Sequence, residues 1–260
     1  MEVAHGKNRE RTGRFSRRLR VWAGVGGGTM GAVALLVLLA PVSSAVTVVS
    51  FTAPYTSFAA TTYNAAYSTG CASGHSVGAP TWSNATGTFN AVERATMTGC
   101  TGYNYADIYA YTYLTGPAFT PSRGGNAYVV STFTAGWQAH VSLAGTTTSG
   151  YNTSYAYASA TVYSYLEDTT TGGIVGGTYS TFSATIVSLA MTNAGSATST
   201  STSSSFSIWA YGTVHGTHSY EFIVEIYTYA YLYSDTGASG SASLNLGGAN
   251  GITMTGLTVY

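Results

Sequence analysis

Charge is scarce in this sequence, and lysine is absent after its first few residues. Only 7% of the 260 residues are charged, and the first twenty hold seven of the nine cationic side chains. After residue 45, two arginines stand against seven carboxylates, which gives a net charge of −5. These charged residues are Arg94, Arg123, Glu93, Asp107, Glu167, Asp168, Glu221, Glu225 and Asp235. With no basic stripe to meet phosphates, this part of the chain is not expected to bind nucleic acid.

Linkers and helical patterns are also missing after residue 45. No proline-rich or charged stretch divides the remaining 215 or so residues, a length that one all-β domain can have. Apolar residues do not recur with a helical period there. They alternate with polar ones at period two, between clusters of Gly, Asn, Ser and Thr, which is typical of strands joined by turns. The sequence therefore predicts a single β domain over residues 46–260.

The N-terminal segment, residues 1–45, has the three parts of an export signal. Its cationic region ends at Arg20, residues 21–40 carry no charge, and small residues lead up to Ala45. This pattern predicts a secreted or cell-surface protein that is cleaved after Ala45. Alternatively, residues 21–40 are long enough to remain in the membrane as an anchoring helix, with the β domain still outside the cell. Membrane contact is expected only through that segment.

The two cysteines of the chain, Cys71 and Cys100, both fall in the part predicted to be exported. An oxidising compartment favours their pairing, so we expect one disulfide. On the chain-entropy model, closing a loop of about 30 residues stabilises the fold by roughly 3.6 kcal/mol. Sequons at Asn84 and Asn152 make these two residues candidates for N-glycosylation.

The spacing of the alternating segments predicts the fold class. About ten antiparallel strands favour a single β-sandwich, jelly-roll-like, with a closed β-barrel as the alternative. One stretch, residues 196–205, consists almost only of Ser, Ala and Thr. We interpret it as a solvated loop, in part a strand edge, and O-glycosylation is the alternative that its composition suggests.

Tyrosine is abundant, and thirteen of the 22 tyrosines alternate with small aliphatic residues in three predicted strands. They are Tyr103, Tyr105, Tyr109, Tyr111, Tyr113, Tyr155, Tyr157, Tyr163, Tyr165, Tyr227, Tyr229, Tyr231 and Tyr233. Asp107, Glu167, Glu221 and Glu225 share their parity. Because alternate residues point to opposite sides of a sheet and unpaired carboxylates are rarely buried, the tyrosines should face solvent. They are then either sheet-stabilising cross-strand pairs or a contact surface for a second subunit or for sugar rings.

Catalytic and metal-binding patterns are weak. Residues 74–78 match G-x-S-x-G, but they lack the strand and helix that a nucleophile elbow needs, and a turn explains them better. Glu221 and Glu225 lie about 13 Å apart along one strand, too far for a glycosidase pair unless Asp107 or Glu167 completes one. His215 and His218 lack a neighbouring cluster of ligands. We therefore predict no catalytic residue, no metal and no cofactor.

These observations favour a non-enzymatic structural or adhesive protein of the cell surface or extracellular space. Its expected partners are further copies of itself or a surface polysaccharide. A carbohydrate-binding module with a tyrosine-rich sheet is the alternative, and a glycoside-active enzyme comes third. Because only seven carboxylates follow residue 45, few carboxylate pKa shifts could unfold the domain in acid, and stability is expected to vary little with pH.

Overall fold

A computed structural model describes residues 49–99, 102–144, 154–176, 183–234 and 238–260. Contacts within the chain divide it into Met1–Val42 and Ser43–Tyr260, and the described residues all belong to the second unit. The predicted export segment, residues 1–45, lies outside them. The described residues contain no helix that is long and apolar enough to cross a membrane.

The described residues form fifteen strands, and every pairing between them is antiparallel. In chain order the strands are β1 (Val49–Phe51), β2 (Ala59–Ser68), β3 (Ser73–Ser76), β4 (Thr81–Ser83), β5 (Thr88–Asn90), β6 (Val92–Met97), β7 (Asn104–Thr115), β8 (Gly125–Ala144), β9 (Tyr155–Asp168), β10 (Gly173–Ile174), β11 (Ser183–Met191), β12 (Gly195–Val214), β13 (Tyr220–Ser234), β14 (Ser239–Asn245) and β15 (Gly251–Val259).

The larger sheet has nine strands and is organised around β8. One edge of β8 pairs with β12 along almost its whole length. The other edge pairs with β15 along one half of β8 and with β14 along the other half. Beyond β15 lie β1 and β5, and β4 pairs with β5. Beyond β14 lies β6, and β3 pairs with β6. The strand β8 is 20 residues long, so two shorter strands fit end to end along one side of it.

The smaller sheet has six strands in the order β9, β13, β7, β2, with β10 and β11 both on the outer edge of β9. On β7, β9 and β13, the even-numbered residues face the larger sheet. Ile108, Val162 and Ile226 are completely buried there, as the period-two alternation predicts. They belong to one hydrophobic cluster with Phe133 and Val141 of the larger sheet, so the two sheets share a core.

The predicted all-β class is confirmed, and neither sheet closes into a barrel, so the barrel alternative is wrong. The likeness to a jelly roll stays a prediction. Residues 196–205 are not a loop, because they lie in β12 and pair with β8; since β12 pairs on one side only, the strand-edge part of the interpretation is correct. One of its hydroxyls, Ser199 Oγ, accepts a 3.0 Å hydrogen bond from Trp137 Nε1 on the neighbouring strand. Composition alone therefore misled, since Ser and Thr suit an exposed sheet surface as well as a loop.

Candidate functional site

The three predicted tyrosine rows lie on adjacent strands and merge into one surface. Strand β13 lies between β9 and β7, and its register places Tyr227 opposite Tyr111 and Tyr231 opposite Tyr157. We call this outer side of the smaller sheet the tyrosine face. It comprises the thirteen predicted tyrosines together with Tyr63 and Tyr67. Strand order, which sequence alone could not supply, is what joins the rows.

Tyr63 and Tyr67 come from β2, a strand that the sequence analysis missed. Tyr63 pairs with Tyr111 of β7, and both β2 rings lie within 6.4 Å of the Tyr109 ring, between centroids. Each is about half exposed, at 50% and 51%. The signal for this strand was weak, because Ala and Thr occupy both of its sides and give no apolar alternation. The four-residue spacing of the two tyrosines was the available clue.

The rings of the tyrosine face pack against one another. Tyr229 and Tyr231 stack with their centroids 5.9 Å apart, and Tyr111 lies 4.8 Å from Tyr227 on the neighbouring strand. Tyr163 meets Tyr227 edge to face at 5.7 Å. Aromatic pairs of this kind stabilise a fold by about 0.5 to 1.5 kcal/mol each beyond the area they bury. The face therefore stabilises the sheet, whatever else it contacts.

Most rings of the tyrosine face are half-buried by their neighbours, and Tyr103 is the most exposed at 63%. The tyrosines occupy odd-numbered positions of these strands, whereas most core residues occupy even-numbered ones. The prediction that the tyrosines lie on the side of the sheet away from the core is therefore correct. Tyr165 is an exception, because only 2% of it is accessible. Its hydroxyl donates to Glu225 Oε1 at 2.6 Å. Tyr165 is thus a packed residue and not a contact residue.

The carboxylates of this face are less solvated than expected. Glu225 is buried and accepts hydrogen bonds from the hydroxyls of Tyr165 and Tyr227. Burial raises the pKa of Asp107, and a hydrogen bond from Tyr229 partly offsets that rise. The pKa of Tyr229 is in turn raised by burial and by the charge of Asp107. The assumption that carboxylates mark a fully wet surface was wrong here, because phenol hydroxyls replace water as donors.

One pair of carboxylates bears on the glycosidase alternative. Glu167 on β9 lies directly opposite Glu221 on β13, and both are half-exposed on the outer side of the sheet. Their Cβ atoms are therefore about 5 Å apart, as in any such cross-strand pair. Two cavities of about 260 Å³ each lie elsewhere, against the larger sheet, so neither encloses this pair.

One of the two histidines of the 215–218 turn, His218, contacts a carboxylate. His218 Nδ1 lies 2.7 Å from Asp168 Oδ2, and the two imidazole rings are 4.8 Å apart. Burial opposes ionisation of Asp168, but hydrogen bonds from His218, Thr171 and Thr170 outweigh it and lower the pKa. The described residues contain no group of three or more potential metal ligands of the His, Cys, Asp and Glu types. This cluster therefore links the turn to the end of β9.

The G-x-S-x-G segment begins in a strand rather than in a turn. Residues 73–76 form β3, and only the following residues leave the sheet. The hydroxyl of Ser76 is buried and has no hydrogen-bond partner among the described residues. It points into the protein, away from any open site where a nucleophile would act.

The remaining predicted sites are only partly described. Cys71 Sγ lies 3.6 Å from the carbonyl oxygen of Thr98, which is two residues before Cys100. Cys100 itself lies outside the described residues, so the disulfide stays a prediction. Asn152 also lies outside them. The side chain of Asn84 accepts from Trp82 Nε1 at 2.6 Å and donates from Nδ2 to the carbonyl of Phe58. A glycan would replace one of the two hydrogens on that nitrogen and would leave one N–H as a donor.

Comparison with models of known protein families finds no match to this chain. A search of curated proteins likewise finds none.

Proposed function

We propose that this protein is an exported, non-enzymatic structural or adhesive protein that assembles with copies of itself through the tyrosine face. The observation that supports this most strongly is the merging of fourteen tyrosines, the set without the buried Tyr165, into one outer surface. Tyrosine supplies a large contact area for little loss of side-chain entropy, and contiguous exposed aromatic surfaces often mark interaction sites. Of the four carboxylates on the face, Asp107 and Glu225 already accept hydrogen bonds from tyrosine hydroxyls, so the approach of a second copy mainly desolvates Glu167 and Glu221.

The test uses substitutions that remove rings without breaking bonds to carboxylates. Tyr103→Ser, Tyr105→Ser and Tyr157→Ser together, which we call the face variant, should reduce the assembly size measured by sedimentation velocity. The matched control is Tyr128→Ser with Tyr211→Ser, a ring pair that is 49% exposed at each residue on the larger sheet. Assemblies of unchanged size in a folded face variant would refute the proposal.

Carbohydrate binding is the second candidate, supported by the open arrangement of partly exposed rings on which sugars could stack. It predicts that the protein is retarded in gels containing polysaccharide and that the face variant is not. The glycosidase hypothesis, which would use Glu167 and Glu221, predicts release of reducing sugar that Glu221→Gln abolishes. Neither result is expected if self-assembly is the function.

A further inference from the structure

Seven strands of the described fold pair on one side only, and six of them have features that discourage further pairing. Strands β1, β3, β4 and β10 are no longer than four residues. Strands β11 and β12 each carry a shift in register, typical of a β-bulge. Short and bulged edges are two of the ways in which proteins prevent edge-to-edge association.

Strand β2 has none of these features. Its ten residues pair with β7 in unbroken register, contain no charge and no proline, and are exposed at every position except Ala65. No other described strand pairs with its free edge. A long, regular, uncharged edge of this kind is a template for pairing with another strand.

The direction of the backbone groups in β2 follows from one hydrogen bond. The amide of Thr69, which continues the register of β2, donates to the carbonyl of Tyr105 at 2.9 Å. Since alternate residues of an antiparallel strand bond to the same neighbour, the odd-numbered residues bond to β7. The even-numbered ones present their N–H and C=O groups outward: Ala60, Thr62, Asn64, Ala66 and Ser68.

We infer that β2 pairs antiparallel with β2 of a second copy of this chain, with Asn64 on the two-fold axis. The inference deepens the proposed function and rests on its premise that the protein self-associates. In this register each outward residue meets another outward residue, Ala60 with Ser68, Thr62 with Ala66, and Asn64 with Asn64. All five then exchange backbone bonds, about ten in total across the axis. Shifting the axis along the strand leaves some of these groups unpaired.

The side chains fit this register. Tyr63 falls opposite Ala65 of the other copy, and Tyr67 falls opposite Thr61, so each ring meets a small residue instead of another ring. No like charges oppose each other, because β2 has no charges. A two-fold axis perpendicular to the sheet also keeps both tyrosine faces on the same side. The product is one continuous sheet with one continuous tyrosine face.

The first experiment blocks the edge. The amide of Asn64 points away from β7, so proline there removes no bond of the fold, and proline is tolerated at such positions of edge strands. In protein expressed from the 260-residue chain and carrying the face variant, we expect dimers by sedimentation equilibrium. Adding Asn64→Pro should weaken dimerisation at least about tenfold, whereas Asn64→Ser, which keeps the amide, should not. The inference would be overturned if the face variant without a change at Asn64 were already monomeric. It would also be overturned if the Asn64→Pro and Asn64→Ser proteins dimerised equally.

The second experiment tests the register. Asn64→Lys and Asn64→Asp should each weaken the homodimer, since like charges then meet across the axis, and mixing the two variants should restore it. Lys or Asp at Ser203, an exposed position on β12, should have no effect. Hydrogen exchange shows whether another segment of the same chain, instead of a second copy, pairs with the free edge of β2. Slow exchange of the Thr62 and Ala66 amides in a monomeric variant would mean that the chain covers its own edge, which contradicts the dimer.

Discussion

Glu93 makes the stability of this protein depend on pH. It lies on β6 and is completely buried between the two sheets, and burial raises its pKa to about 7, against smaller opposing effects of its hydrogen bonds. Thr228 Oγ1 is 2.8 Å from Glu93 Oε1 and 3.2 Å from the carbonyl oxygen of Ala110. A hydroxyl has one hydrogen, so a protonated Glu93 can donate to Thr228 while Thr228 donates to Ala110. The geometry thus suits the neutral acid.

The sign of the effect follows from this pKa. Because the folded state holds the proton more tightly than the unfolded state, the stabilisation is complete below the unfolded pKa, near 4.5, and is lost as the pH rises through about 7. A difference of that size corresponds to about 3 kcal/mol. The neighbours paired with Glu93 are Ser76 and Leu244, which do not titrate. The earlier expectation of pH-independent stability is therefore revised.

Chemical denaturation at pH 4.5 and pH 8 tests this prediction in the wild-type protein and in Glu93→Gln. The wild type should have a lower free energy of unfolding at pH 8 by about 3 kcal/mol. Glutamine keeps an acceptor for Thr228 but cannot ionise, so its profile should be flatter and the variant should be the more stable protein at pH 8. Asp107, whose pKa is also raised, adds a smaller effect of the same sign in both proteins. Parallel pH profiles for the two proteins would refute the reasoning.

Three further predictions concern other parts of the molecule. Peptide mapping of the exported, non-reduced protein should find Cys71 joined to Cys100, and alkylation of both thiols would contradict this. Tyr229→Phe removes a donor to the partly buried Asp107 and should lower the free energy of unfolding by about 1 to 3 kcal/mol. Tyr157→Phe should have little effect, and equal losses in the two variants would exclude a special role for the Tyr229–Asp107 hydrogen bond. Gly176→Ala would place its Cβ 1.9 Å from the Tyr211 carbonyl oxygen. It should destabilise the protein much more than Gly172→Ala, whose Cβ would meet open space at a similar positive φ. Similar melting temperatures of the two variants would contradict the close approach at Gly176.

Period-two alternation was sufficient to predict the class of the fold and the side of the sheet on which each tyrosine row lies. It worked because most even positions of β7, β9 and β13 are small or apolar and are buried against the other sheet. It failed where both sides of a strand are exposed, as in β2 and in the first half of β12, since no apolar contrast then marks the strand. The carboxylates misled for a different reason. Neighbouring hydroxyls satisfy Glu225: Tyr227 lies two residues away on the same face of β13, but only the register between β13 and β9 brings Tyr165 to it.

The tyrosine face and the β2 edge are different surfaces, so together they predict the sizes of the assemblies. Each contact between like surfaces joins two copies about a two-fold axis, and two different contacts on one protomer produce either a closed tetramer or an open filament. The wild type should therefore exceed a dimer. The face variant and Asn64→Pro should each leave dimers, held by the remaining contact, and their combination should leave monomers. Sedimentation velocity of the four proteins at equal concentration distinguishes the two contacts. If Asn64→Pro alone produced monomers, the face would not associate by itself, and the edge would be the primary contact.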